Sequence, residues 1–386
     1  MMRLLDRYAA KLAAHGLCEA GEPILGGLDA ELAWNRPGPE TEILGEVVRG
    51  LNINSILFAR PAEPYFTIMN RLAAGRDSIG PEDCETRTFL HDIPVASSFS
   101  AGEILPLLRK RKSAVVPGKG IVTFGTVSPE QAFVTYSSVC FSLFVKFFTD
   151  RHYAIRREGR LNGEDDRVAR TSLDAYASFM EAIDYAPTHQ GPFTDPGEVI
   201  AAMAEAGRMT VDSRMVDSFF GNISYRLGNT IYISQTGSSL DELEGYIDPC
   251  PMDGSSTAAV TASSELGAHR GVYGRTPYRA ILHGHPRFCV IMSMICDEEG
   301  CDHRGSCHTR CNRERSAGGV PIVPGEVGTG PRGIITTLPP VMEGAGAIVW
   351  GHGLFTTGRV DFIDAFGTLV GTEAACFHEY RERTGL

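Results

Sequence analysis

The chain has 386 residues, of which 43% are hydrophobic and 22% are charged, values typical of a folded protein with a sizeable core. This length favours two domains over one. The formal net charge of -11 argues against sequence-independent binding to nucleic acid or to an anionic membrane, because both need a positive face. We therefore expect neither a nucleic-acid nor a membrane partner.

The first 18 residues mix charged and apolar side chains at helical spacing and lack the unbroken apolar core of a signal peptide. No stretch approaches the roughly 18 uncharged apolar residues of a membrane-crossing helix. We expect a cytoplasmic protein. In that compartment, the ten cysteines are expected as thiols, or as metal or redox groups, rather than as disulfides.

Two pairs of segments recur in the same order along the chain. The segment SILFARPAEPYFTIM (55–69) is similar to AILHGHPRFCVIM (280–292), and AVVPGKGIVTFGTVSPEQAF (114–133) is similar to AIVWGHGLFTTGRVDFIDAF (347–366). Each segment has apolar patterning with glycine or proline turns. Generic strand–turn–helix patterning is one explanation. Duplication is the other, and it predicts two α/β domains at 1–150 and 186–386, joined by a charged linker and a helix in 151–185.

Three short polar segments in the second half suggest turns and a helix start. GNIS (221–224) and QTGSS (235–239) are rich in turn-forming residues. In TASSELGAHRGVYG (261–274), Ser263 or Ser264 is expected as the N-cap of a helix with Glu265 in its first turn. A helix N-terminus can bind an anion through its free N–H groups. Taken singly, each segment is also explained as an ordinary loop or capped helix.

Three histidines follow two strand-like segments. His283 and His285 alternate after YRAIL, and residues i and i+2 of a strand point to the same side. His352 lies between two glycines after GAIVW. Three neutral imidazoles leave an open coordination position, which is the arrangement of catalytic rather than structural zinc. Unrelated histidines at strand ends are the alternative.

The first half of the chain lacks these histidines. When the two repeats are aligned, Phe58 and Arg60 occupy the positions of His283 and His285, and Lys119 occupies the position of His352. Phenylalanine has no lone pair to offer, and the two cations repel a metal dication. We therefore expect the first domain to be a degenerate structural copy.

A cysteine- and histidine-rich insertion follows the helix after HGHP, at 296–319. Short spacers between such residues suggest a closed structural zinc site, although the spacing fits no familiar zinc motif. A loop of free or disulfide-paired thiols is the alternative. The candidate ligands are Cys296, Cys301, Cys307 and Cys311.

Five segments in order resemble the class II aldolase/adducin family, and fuculose-phosphate aldolases in particular. They are GNIS at 221–224, Thr236-Gly237, SSE at 263–265, HGHP at 283–286 and GHG at 351–353. The resemblance covers nearly all of the second half. It implies an α/β fold of three αβα layers with a mainly antiparallel central sheet, and with the repeat it implies two tandem class II aldolase-like domains. It also implies a homo-oligomer, either a tetramer or a dimer that forms a pseudo-tetramer.

The resemblance also implies roles for single residues. His283, His285 and His352 match the metal ligands, for Zn²⁺ or for Mn²⁺ or Co²⁺, and Glu265 matches the acid/base carboxylate. The residues that match the phosphate-binding positions are Asn222, Thr236, Gly237, Ser263 and Ser264.

The implied activity is reversible aldol cleavage of a small phosphorylated ketose through a metal-stabilised enediolate. Fuculose-phosphate aldolases carry a tyrosine as proton donor before the last metal strand, but VPIVPGEVGTG (320–330) has none, and Glu326 is the other acid there. A sugar-phosphate 4-epimerase, dehydratase or decarboxylase of the same fold is therefore a second hypothesis. A non-catalytic adducin-like scaffold is a third.

Overall fold

A computed structural model describes residues 1–159, 163–298, 300–326 and 328–386. The chain divides into two compact units, Met1–Ser172 and Leu173–Leu386. The positions 160–162, 299 and 327 lie outside the described residues, although they belong to the expected linker, insertion and 320–330 segment. Described residues of 151–185 are mostly helical, and most of their charged side chains lie on exposed faces, except for the buried ion pair of Arg151 and Asp166.

The first unit contains seven strands and most of seven helices among its described residues. Its strands are β1 (Ile24–Leu28), β2 (Leu32–Trp34), β3 (Ser55–Ala59), β4 (Ser78–Ile79), β5 (Ile93–Pro94), β6 (Ser113–Val116) and β7 (Gly120–Gly125). Its helices are α1 (Met2–Ala14), α2 (Glu40–Arg49), α3 (Tyr65–Ala73), α4 (Cys84–Leu90), α5 (Ala101–Leu108), α6 (Pro129–Glu158) and α7 (Glu164–Glu181), of which α7 continues into the second unit.

An antiparallel sheet of order β2-β1-β3-β7-β6 forms the centre of the first unit. Helices α2 and α5 pack on one face, against Ile56 and Val122. On the other face, Leu5 of α1 lies close to Gly27, and the Thr123 hydroxyl donates to the Ala132 carbonyl in α6. Both faces are covered, which explains why β3 and β7 are continuous apolar runs.

The expectation that no stretch resembles a membrane-crossing helix is wrong for helix α6, which is long and apolar enough to cross a membrane by length and composition alone. In its most hydrophobic window, 94% of the residues are buried within the protein. The helix packs on the sheet of the first unit and on α1 and α3. Its place in this core accounts for its apolar composition.

The second unit is also a mixed α/β structure. Its strands are β8 (Asn222–Leu227), β9 (Thr230–Ser234), β10 (Ile247–Pro251), β11 (Ala280–Gly284), β12 (Arg315–Ala317), β13 (Val320–Val323), β14 (Gly346–Val349) and β15 (Gly353–Gly358). Its further α-helices are α8 (Pro196–Asp212), α9 (Leu266–Arg275), α10 (Arg287–Met294), α11 (Cys307–Arg310), α12 (Ile334–Thr337) and α13 (Phe362–Thr384). Short 3₁₀ helices span Leu240–Glu242, Thr257–Val260 and Pro339–Val341.

The second sheet has the order β10-β9-β8-β11-β15-β14-β13-β12. Neighbours are antiparallel except for the parallel pair β13 and β14, so the expectation of a mainly antiparallel sheet is confirmed. Helices α9 and α12 pack on the face that carries Ile281 and Phe355. A Cβ at Gly284 would point to the opposite face, towards Leu369 of α13. The sheet therefore has helices on both faces, and β11 and β14 end at the same edge of the sheet, on either side of β15.

The strand order β2-β1-β3-β7-β6 of the first unit has a counterpart in β9-β8-β11-β15-β14 of the second. The registers also agree: Ser55 pairs with Gly125 in the first unit, and Ala280 pairs with Gly358 in the second. The turns before β7 and β15 both place a glycine at positive φ, +73° at Gly118 and +60° at Gly351. These are the positions that the sequence repeat aligns.

Candidate metal centre

His283 is the last but one residue of β11 and is 1% exposed. Its ring stacks on Phe355 of β15 with 3.9 Å between ring centroids. The Nδ1–H donates to the Leu354 carbonyl at 3.1 Å, because a carbonyl can only accept. This hydrogen bond leaves the Nε2 lone pair of His283 available to a metal.

His285 follows the end of β11, and its backbone N–H donates to the Met215 carbonyl. Its Nδ1 lies 2.9 Å from Oδ1 of Asp217, which is buried. The loop carrying Asp217 holds Ser218 and Phe219 at positive φ, a conformation that non-glycine residues adopt when their surroundings demand it. Asp217 thus orients the second imidazole, as carboxylates commonly do for metal-binding histidines.

His352 lies in the turn between β14 and β15, after Gly351. The Gly351 N–H donates to the Ser293 hydroxyl of α10, which fixes this turn. The Nε2 atoms of His352 and His283 are 3.3 Å apart. One ligand atom from each of His283, His285 and His352 lies within 4.8 Å of the others, and all three residues are buried. The three imidazoles that the sequence predicts as ligands therefore meet at one point.

The donor set fits a divalent metal ion. Burial lowers the pKa of His283 well below its usual value, and the neighbouring His285 and His352 lower it further. Burial also lowers the pKa of His352, against the opposing effect of Glu265. Imidazoles that stay neutral keep the lone pairs that a dication needs. Three nitrogen ligands suit zinc, with cobalt and manganese as other candidates.

These lowered pKa values predict how metal affinity depends on pH. Protons compete with the metal only below the pKa of a ligand, so a lowered pKa moves that competition to more acidic solution. We expect the dissociation constant, measured by competition with a chromophoric chelator, to stay nearly constant from about pH 8 to the ordinary imidazole pKa of 6.5. A steady loss of affinity over that range would show that the histidines are solvated.

Glu265 is the carboxylate next to the three imidazoles and is 5% exposed. Its Oε2 lies 3.7 Å from Nε2 of His283, and its Oε1 lies 3.6 Å from Nε2 of His352. The Asn222 side-chain N–H donates to Oε2. Helix α9 begins at Leu266 with Glu265 itself as N-cap, so the expected N-cap at Ser263 or Ser264 is wrong. The Ser263 hydroxyl instead accepts from the N–H of Glu265, the residue just before the helix.

His269 is part of the site, although the sequence analysis does not select it. Its Nε2–H donates to Oδ1 of Asn222 at 2.6 Å, and the Ser224 hydroxyl lies 2.7 Å from its Nδ1. Burial lowers the pKa of His269 to about 3, so the ring stays neutral and holds the amide of Asn222 in the orientation that donates to Glu265. His269 lies four residues after Glu265. This helical spacing, which places two side chains on the same side, is the one sequence signal that could have indicated His269.

Comparison with family models decides the family of this half. Residues 201–380 match the model of the class II aldolase and adducin N-terminal domain, and this range contains all three histidines and Glu265. Residues 201–380 form a class II aldolase/adducin domain. No curated protein matches the sequence.

Several solved structures resemble the chain. L-fuculose-1-phosphate aldolase from Thermus thermophilus is 21% identical, with 48% of this chain and 94% of that chain covered and a TM-score of 0.38. A sugar-phosphate aldolase from Thermotoga maritima is 16% identical, with 47% and 92% covered and a TM-score of 0.34. The class II aldolase domain of a conserved Thermoplasma acidophilum protein is 14% identical, with 50% and 99% covered and a TM-score of 0.32. Similarities of this size carry no inference about reaction or substrate.

Within the aldolase/adducin domain, two loops carry four of the five expected phosphate-binding residues. The Thr236 N–H donates to the Thr261 carbonyl, and its hydroxyl donates to the Ala262 carbonyl, so the loop after β9 lies beside the loop before α9. Ser263 is buried, whereas Thr236, Gly237 and Ser264 are exposed. The fifth residue, Asn222, is buried and hydrogen-bonded to Glu265 and His269.

The aldolase/adducin domain also contains the four cysteines of the insertion. They line one cavity, but among the described residues no three of their ligand atoms lie within 4.8 Å of one another. All ten cysteines of the chain lie in its described part, and none of them forms a disulfide.

Gly353 allows β11 and β15 to approach closely beside the metal ligands. A Cβ at this position would lie 2.3 Å from the Gly284 carbonyl oxygen and 2.8 Å from ring atoms of both His283 and His285. We expect Gly353→Ala to lower the free energy of unfolding by about 1–3 kcal/mol, as overpacking does, and to weaken metal binding. Chemical denaturation and metal titration measure the two effects.

Gly371→Ala in α13 is the matched control, because a Cβ there meets nothing within 4 Å. Alanine in a helix interior stabilises by up to about 1 kcal/mol relative to glycine. Equal behaviour of the two alanine variants would contradict the role of Gly353 in setting the ligand geometry.

Proposed function

We propose that the second unit is a metal-dependent lyase that reversibly cleaves a small phosphorylated ketose into a ketone and an aldehyde. The observation that carries the proposal is the convergence of three buried imidazoles, from His283, His285 and His352, beside one buried carboxylate, Glu265. A non-catalytic scaffold needs neither three neutral imidazoles that meet at one point nor a buried carboxylate beside them.

The three histidines would hold the ion, and the ion when bound would supply a Lewis acid for the negative charge that develops on the ketone oxygen. In the cleavage direction, the C3–C4 bond would break as the C4 hydroxyl loses its proton, the aldehyde would leave, and Glu265 would give a proton to the carbon of the ketone fragment next to its carbonyl; in the condensation direction Glu265 would remove that proton again. Asn222 would keep the carboxylate in place through its N–H, and His269 would keep Asn222 in place. The burial of Glu265 would keep bulk water from competing for that proton.

The two adjoining loops would bind the substrate phosphate. Ser263 and Ser264 offer hydroxyl groups, and Gly237, at φ +72°, presents its backbone without a side chain. Thr236 would contribute when its hydroxyl turns from the Ala262 carbonyl to the phosphate. Ser263 and Ser264 immediately precede Glu265, the N-cap of α9, and the dipole of this helix would favour an anion at its N-terminus. Such a site needs no lysine or arginine, in keeping with a chain of net charge -11.

An epimerase, dehydratase or decarboxylase is the second candidate. The observation that favours it is the lack of a tyrosine in 320–330, where fuculose-phosphate aldolases have their proton donor. These reactions also develop negative charge on a carbonyl oxygen but need a different group to complete the reaction.

Product analysis on a panel of phosphorylated ketoses and sugar acids tests the proposal. We expect the zinc-loaded protein to release an aldehyde together with dihydroxyacetone phosphate or a close analogue. A stereoisomer with an intact carbon chain would indicate an epimerase, and released water or carbon dioxide a dehydratase or decarboxylase. No change in any substrate, with the metal bound, would leave the scaffold as the better explanation.

The role of Asn222 gives a separate prediction. If it positions Glu265, Asn222→Ala should lower kcat by about 10- to 100-fold, as the loss of a supporting residue does, with little change in KM. If it binds phosphate, KM should rise for the phosphorylated substrate and not for the dephosphorylated one. Steady-state kinetics on both substrates separates these outcomes, with Ser264→Ala as the comparison on the phosphate loop.

We also propose that the two units arose by duplication and that the first is an aldolase-like copy without a metal site. The equal strand order, the equal registers and the paired glycines Gly118 and Gly351 support this proposal. At the metal positions the first unit has Phe58, Arg60 and Lys119.

Sedimentation showing a stable monomer would contradict the accompanying expectation of a dimer or tetramer.

A further inference from the structure

The insertion between α10 and β12 is folded without a hydrophobic core of its own. Among its described residues from 296 to 316, no side chain is buried. The segment still forms a short helix, α11, and lines a partly open cavity of about 250 Å³. Since apolar burial is what ordinarily offsets the entropy of ordering a chain, a segment of this kind needs a cross-link or a metal.

The cysteines of the insertion all face this cavity. Cys296 follows the end of α10, and Cys301 lies in the turn after it. Cys307 and Cys311 are one helical turn apart at α11, so their side chains lie on the same side. All four are half-buried, whereas the other six cysteines of the chain are buried. The four thiols are thus the ones that a metal in the cavity could reach.

Cys307 lies beside two of the other cysteines of the insertion. Its thiol is close enough to Cys311 and Cys296 for a charge on either sulfur to affect it. The Cys307 thiol donates to the His303 carbonyl at 3.6 Å, and Arg315 lines the same cavity. A nearby cation helps to offset the negative charge that several thiolates bring to one metal.

We propose that Cys296, Cys301, Cys307 and Cys311 hold a metal centre through four thiolates, separate from the three-histidine site. Two occupants share this chemistry, a single zinc ion and a four-iron, four-sulfur cluster. Zinc would bring the sulfurs to about 3.8 Å from one another, given Zn–S bonds of about 2.3 Å. Among the described residues, no three of these sulfurs lie within 4.8 Å of one another, so binding zinc would draw the insertion closer together, and metal and sulfide analysis distinguishes the two occupants.

The centre would also support the three-histidine site from outside. His308 of α11 stacks on Trp350, two residues before His352, with 5.9 Å between ring centroids. The Arg332 guanidinium donates to the Cys311 carbonyl at 2.9 Å, which ties the insertion to the loop before α12. An ordered insertion would thereby hold the turn that carries His352.

Metal and sulfide analysis of the full chain, purified without oxygen, tests the proposal. We expect either four iron and four sulfide per chain with visible absorption, or one zinc beyond the ion at the histidines. Cys307→Ser should lose this metal, and His283→Ala should keep it while losing the ion at the histidines. Because His283→Ala retains the second centre whether or not the domain is an aldolase, failure here and failure of the proposed function are distinguishable.

Thiol titration of the native wild-type protein gives an answer even if Cys307→Ser does not fold. The other six cysteines are buried, so a polar thiol reagent reports on the insertion. We expect almost no reaction until a chelator or acid releases the metal, and then up to four thiols. Four thiols that react at once, or a mass lowered by disulfide formation, would overturn the proposal.

Discussion

His283→Ala is expected to abolish both metal binding at the three-histidine site and turnover. The change removes the imidazole whose Nε2 lies 3.3 Å from that of His352, and two histidines do not make the open three-ligand site that hydrolytic and lyase metals use. Since a bound metal supplies several kcal/mol of charge stabilisation, we expect kcat/KM to fall by about 1000-fold or more. Metal analysis and steady-state kinetics on the same preparation measure the two losses.

His378→Ala is the matched control, because His378 is exposed on α13. It should keep the metal and the activity. Asp217→Asn provides an intermediate case: the carboxylate that orients His285 becomes a neutral amide, and metal affinity should fall by about 10- to 100-fold. Full activity of His283→Ala after exhaustive metal removal would end the proposed mechanism.

Glu265→Gln is expected to stop proton transfer while leaving the metal in place. The amide has nearly the same shape and can still accept the Asn222 N–H, but it cannot take a proton from the substrate carbon. General acid–base catalysis contributes about 100- to 10,000-fold, and we expect kcat to fall by that range. Exchange of the substrate's carbon-bound proton with deuterated solvent measures the step directly.

Glu242→Gln is a suitable control for Glu265→Gln, because Glu242 lies in a short 3₁₀ helix outside the group formed by the three histidines and Glu265. It should leave exchange and metal content unchanged. If Glu265→Gln loses the metal as well, the carboxylate is a ligand rather than a base. If exchange continues at the wild-type rate, another group removes the proton.

Much of the site could be predicted from sequence because its signals are local. Alternation along β11 places His283 and His285 together, and the glycines around His352 indicate a tight turn after a buried strand. Five motifs in order then give the family, which the match of residues 201–380 confirms. The internal repeat likewise lies in linear segments that can be compared by eye.

The residues that orient the site could not be found in this way. Asp217 is 68 positions from His285, and Asn222 is 47 positions from His269. Their contacts depend on which strands are neighbours and in what register, and β8 pairs with β11 so that Asn222 lies opposite His283. A turn-forming sequence such as GNIS does not reveal that its asparagine will be buried.

The sequence by itself indicated the candidate ligand set, the acid/base candidate and the family of residues 201–380, because each depends on residue type and short spacing. Tertiary structure decided which groups hold those ligands in place. It also showed that α9 begins one residue after Glu265, and that the four cysteines of the insertion face one cavity. Hydrogen bonds and cavities form between segments that are distant in the chain, and only the packed sheet and its helices bring those segments together.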